Sequence, residues 1–150
     1  MPAFALPRRH LLIAAAGLAG LARPARACEF FSSRMRIWHP WTRATRVDAD
    51  SARLCMRFDE VQRTDRLVGL DTPVSRGARL AGVGAPDGDA PLDLPIAAGQ
   101  DLALSEDGLH IELLDLQQPL QIGRSYPLRL LFASGDTVNA TLNVDYAGLR

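Results

Sequence analysis

The chain has 150 residues, enough for one domain, with 17 basic and 17 acidic side chains, and every basic residue is an arginine. Without lysine, Schiff-base and catalytic-amine chemistry are excluded. Setting aside residues 1–27, which hold four of the arginines and no acids, leaves 13 basic against 17 acidic residues. That net −4 argues against nucleic acid or an anionic membrane surface as a partner.

Residues 1–27 read as a cleaved signal peptide. Arg8, Arg9 and His10 form a positive n-region, Leu11–Leu21 is an apolar run, and Ala25-Arg26-Ala27 supplies small residues at −3 and −1. The run is far shorter than the roughly 20 residues that cross a bilayer, so no membrane span is expected. Arg8-Arg9 also permits twin-arginine export. Cys28 follows the cut directly, but Ala25 and Arg26 stand where a lipobox needs Leu and a small residue, so a lipid anchor at Cys28 is not expected. The expected location is the periplasm, with residues 28–150 forming a single domain.

Cys28 and Cys55 are the only cysteines. In an exported chain an even count predicts a disulfide. It would close a loop of about 28 residues, worth on the order of 3.5 kcal/mol. The alternative is a pair of free thiols open to soft metals, with Cys28 as an N-terminal ligand.

In chain order, Glu29–Arg34 leads in from the new terminus. Met35–Trp41 predicts a strand with Pro40 at its end or on an edge, and Trp41 as a core anchor. His39, between Trp38 and Pro40, reads as structural. Ala52–Val61 predicts a second strand, with Leu54, Met56 and Phe58 on one face and Arg53, Cys55 and Arg57 on the other. Met35 and Met56 read as core residues. Arg66–Leu70 and Arg79–Val83 predict two more strands, followed by a loop from Gly84 to Pro91 rich in Gly and Pro. Short strands follow at Leu92–Ile96 and Asp101–Leu104.

From Ser105 to Phe132 the pattern is a polar turn, a strand, a loop with Pro119 and Gly123, and another strand. Leu109, Ile111 and Leu113 share one face of the first of these, and His110 and Glu112 share the other, about 7 Å apart. A histidine and a carboxylate so placed form a candidate two-point site for Cu(II) or Zn(II), or a solvated strand face. After Ser134-Gly135-Asp136 the last strand, Thr137–Tyr146, alternates apolar and polar throughout, as a half-buried antiparallel strand does. Eight or nine short antiparallel strands without an amphipathic helix predict an all-β sandwich or barrel. With two histidines beyond residue 27 and no nucleophile–base pattern, no enzymatic activity is expected.

Four segments together resemble the periplasmic copper chaperones of the PCu(A)C family: Pro40-Trp41-Thr42-Arg43-Ala44-Thr45, Thr64 to Pro73, Gly108 to Leu116 with Pro119-Leu120 and Gly123, and Pro127 to Phe132. The resemblance implies a cupredoxin-like Greek-key β-sandwich. It also implies a surface site of two histidines and two methionines that passes Cu(I) to cytochrome oxidase copper-centre assembly proteins. His110 matches the family's second histidine. The methionine two residues on is Glu112 here, the place of the first histidine falls at Arg79-Leu80-Ala81, and no methionine follows Met56. The resemblance therefore leads to two expectations: copper handling through altered ligands, or a metal-free β-sandwich that acts as a binding or assembly module.

Overall fold

A computed structural model describes residues 28–146; the expected signal peptide, residues 1–27, lies outside these. Among the described residues there is no helix, and none therefore long and apolar enough to cross a membrane. Ten strands make up the domain: β1 (Glu29–Phe31), β2 (Arg36–Thr42), β3 (Ser51–Asp59), β4 (Asp65–Asp71), β5 (Ser75–Ala81), β6 (Leu94–Ile96), β7 (Leu102–Ala103), β8 (His110–Leu116), β9 (Ser125–Phe132) and β10 (Thr137–Val144). The main sheet runs β5-β8-β3-β2-β10-β9-β4-β6, with β1 added beside β2 and β7 beside β3.

That order explains the shape. β4 and β5 are joined by a tight turn closed by a Thr72–Ser75 bridge, yet they stand near opposite ends of the sheet. The turn therefore brings those ends together, and the sheet nearly closes into a barrel. β3 makes the corner. Its Ser51–Leu54 half pairs with β8, while its Cys55–Asp59 half pairs with β2.

The core follows period-2 alternation. Ile37, Leu54, Phe58, Leu113, Leu130 and Leu142 are each fully buried, and each such side chain contributes about 1.5–3 kcal/mol. Two segments of the family resemblance bind each other directly. Thr45 N donates to the Leu120 carbonyl, and Leu120 N donates to Thr45 Oγ1, both at 2.9 Å.

Several expectations are corrected. β1 is an additional strand where only a lead-in was expected; Phe30 packs against the core and the segment pairs along β2. One pairing, β10 with β2, is parallel rather than antiparallel. The strand expected at Arg79–Val83 is β5, which runs Ser75–Ala81 and is stopped by Gly82 with its φ of 89°. Trp41 is only partly buried and lies outside the core cluster, because a bulge in β2 turns it toward a surface groove.

The predicted Cys28–Cys55 disulfide is not formed; both thiols are free. Cys28 flanks β2 on one side, its carbonyl accepting from His39 N at 2.7 Å, and Cys55 pairs with Trp41 from the other side. With β2 between them, two inter-strand spacings set the cysteines roughly 10 Å apart. A disulfide needs Cα atoms within about 7 Å. Cys55, expected on the polar face, is fully buried, and burial pushes its thiol up to about 11.

One buried charge couples the fold to pH. Asp59 accepts from Arg36 Nε at 2.7 Å and Nη2 at 2.9 Å, with Arg57 Nε at 3.3 Å. The Arg36 hydrogen bonds above all hold its carboxyl below the usual carboxylate range. A depressed folded-state pKa gives stability that is present above the unfolded value, about 4, and lost as pH falls through the folded one. Urea midpoints measured from pH 7 downward should fall below about pH 4 in the wild type. Asp59→Asn should be less stable at pH 7 and lose less on acidification; parallel curves for the two proteins would contradict this linkage.

Candidate functional site

His110 opens β8 and pairs with Ala81, the last residue of β5. Alternation sets it on the face away from Ile111 and Leu113, where solvent was one expectation. Instead it is 6% exposed. The cause is local: the turn at Ser105–Gly108 and the Gly82-Val83 segment fold over it, with Val83 N donating to the Gly108 carbonyl at 3.4 Å. The ring is then fixed by a hydrogen bond of 3.0 Å between Nδ1 and that same carbonyl. A carbonyl only accepts, so Nδ1 carries a proton, and in the neutral ring the lone pair is on Nε2. Metal-binding histidines are commonly oriented in this way. His110 lines an open cavity of about 450 Å³ with Arg53, Val83, Glu106 and Asp107.

Glu112 is on the same face but is already engaged. Its cross-strand neighbours are Arg79 on β5 and Arg53 on β3. Arg79 takes it through Nε at 2.8 Å and Nη2 at 2.7 Å, and reaches Asp89 with Nη1 at 3.2 Å. Arg53 instead donates to the Glu106 carbonyl at 3.0 Å, and Arg43 pairs with the Glu106 side chain. That Arg43 hydrogen bond, foremost, holds the Glu106 carboxyl below its usual range. The result is a row of arginine–carboxylate pairs beside one free imidazole nitrogen.

The site residues read from the sequence are thus only partly brought together. His110 and Glu112 share a face, but the carboxylate is matched to a guanidinium rather than left to a cation. Met35 and Met56 are 3% and 2% exposed and belong to the core cluster, as expected. Neither cysteine joins the face. Among the described residues no three His, Cys, Asp or Glu side chains are grouped to hold a metal. A site of two imidazoles and two thioethers does not fit this face.

Gly82 was missed by the sequence reading. A Cβ there would meet the Gly108 carbonyl oxygen at 2.0 Å and His110 Nδ1 at 2.9 Å. Only glycine lets the chain end β5 and still cover the histidine. The available signal was the glycine directly after the strand, at the position where β5 must clear β8.

The nearly closed all-β barrel has a cupredoxin-like fold, the fold shared by PCuAC domains of known structure. Residues 35–144 match the family model described as "Putative lipoprotein LpqE-like", and the chain belongs to the LpqE-like family. Among solved structures it is similar to the copper-bound PCuAC domain from PmoF2, at 22% identity and TM-score 0.69, over 80% of this chain and 98% of that one. The apo PCuAC domain from PmoF1 gives 21% identity and TM-score 0.69, covering 80% and 99%. The Cu(I) form of DR1885 from Deinococcus radiodurans gives 25% identity and TM-score 0.58, covering 71% and 74%. No curated protein matches the chain.

Gly82→Ala should displace the Gly108 carbonyl and free the His110 ring. The left-handed backbone alone costs about 1–3 kcal/mol. Thermal melting should show a lower midpoint, and the His110 imidazole should lose its single Nδ1–H tautomer by NMR. An unchanged melt and tautomer would show that Gly82 has no such role.

Proposed function

We propose that this protein handles copper in the periplasm, with copper ions as cargo and no catalysis, using His110 as its one retained ligand. The observation that carries the reading is the His110 ring: Nδ1 anchored on the Gly108 carbonyl, Nε2 left with its lone pair, and an open cavity beside it. Similarity to a copper-bound PCuAC domain and to Cu(I)-DR1885 supports copper as the cargo. One imidazole does not retain Cu(I) alone, so the remaining ligands come from the protein that delivers or receives the ion. The partners would be cytochrome oxidase copper-centre assembly proteins, reached after export and removal of residues 1–27.

A second reading is favoured by the Arg79–Glu112 pair. The guanidinium takes up the Glu112 carboxylate that a cation would need, and a domain that has lost copper would keep such a pair as a cross-strand staple. The protein would then be a metal-free binding or assembly module.

Competition titration with a chelator, using Cu(I) and Cu(II) separately, distinguishes the two. Copper handling predicts a Kd below about 1 μM that is lost in His110→Ala. Binding weaker than that in both oxidation states, or equal binding by the variant, would overturn it.

A further inference from the structure

β2 carries a bulge at its second half. Trp38 pairs with Arg57 and Trp41 with Cys55, so His39 and Pro40 together face the single residue Met56. His39 takes up the irregularity with a φ of 47°, a region that non-glycine residues avoid. Such strain persists only where the surroundings enforce it. His39 is also 4% exposed, and neither ring nitrogen has a hydrogen-bond partner among the described residues. Nε2 lies 3.1 Å from an Asp145 carboxylate oxygen, outside hydrogen-bonding alignment, and Nδ1 has nothing. A buried polar atom with no partner is costly.

That unpartnered imidazole lines a groove of about 320 Å³ together with Trp38, Trp41, Met56 and Leu104. We propose that this groove is a second metal site, separate from His110, for a soft monovalent cation such as Cu(I) or Ag(I). The donors are the imidazole of His39 and the thioether of Met56, with the indole rings of Trp38 and Trp41 as walls. The donor chemistry selects the ion. Thioether and imidazole suit soft cations, while Mg²⁺ and Ca²⁺ require several oxygens that this groove does not supply. Indole faces attract a cation further. With Asp145 near Nε2, Nδ1 is the ring nitrogen that has no polar neighbour and is left for a ligand. Arg57 also borders the groove, but it is paired with Asp101 at 2.6 Å and Asp59 at 3.3 Å, so its charge is compensated. The inference does not depend on copper binding at His110.

Trp38 and Trp41 are the chain's two tryptophans, so indole emission reads the groove directly. The measurement uses Ag(I), and then Cu(I), added to the protein carrying Cys28→Ser, which removes the partly exposed thiol. One equivalent should quench or shift the emission, and His110→Ala should leave that response intact. Met56→Leu, which keeps the core volume, and His39→Asn, which tolerates the left-handed backbone, should each abolish it. Met56→Leu alone decides the question if His39→Asn does not fold. No emission change, a change that survives Met56→Leu, or one lost in His110→Ala would overturn the assignment.

Discussion

The cross-strand pairing of Arg79 with Glu112 governs the face that family resemblance marks for copper. Register dictates it: β5 and β8 set the two residues opposite each other, and antiparallel partners on one face stand within side-chain reach. Once the guanidinium holds the carboxylate through two nitrogens, Glu112 is no longer free to hold a cation. Everything else there adjusts to that arrangement. Arg53 turns to the Glu106 carbonyl, Arg43 takes the Glu106 side chain, and His110 is left as the one imidazole on the face.

Most of the sheet was legible because alternation is a local property. The final strand read as half-buried from its sequence, and it pairs with β9 from Thr137 to Asn143. The loop from Gly84 to Pro91 was legible from its turn residues, and it contains no strand. Features set by long-range geometry were not. Nothing local to Glu29–Phe31 announces a strand, since its pairing depends on an open stretch of β2. The separation of Cys28 from Cys55 follows from the placement of β2 between them, which cysteine counting does not see. His110 looked exposed from its parity on the strand, but burial came from two loops folding across it. Trp41 looked like a core anchor because of its size, and the bulge at His39 turned it outward instead.

The two histidines show opposite solutions to one problem. Each is buried on a strand in a small barrel, and each must satisfy two ring nitrogens. His110 does so with a backbone carbonyl and an open cavity, at the junction of β5, β8 and the turn before it. His39 sits in strained backbone with neither nitrogen hydrogen-bonded, beside a methionine and two indoles. An oriented imidazole with a free nitrogen is chemistry in waiting in both places, although only the first lies on the face that the resemblance implies.

His110 carries its proton on Nδ1, and the proposed copper handling has Nε2 meet the ion. Long-range ¹H–¹⁵N spectra of the imidazole rings test this directly, before and after Cu(I) is added. Nδ1 should stay protonated throughout, and the His110 Nε2 resonance should shift strongly when copper is present. A proton on Nε2, or an Nε2 resonance unmoved by copper, would contradict it.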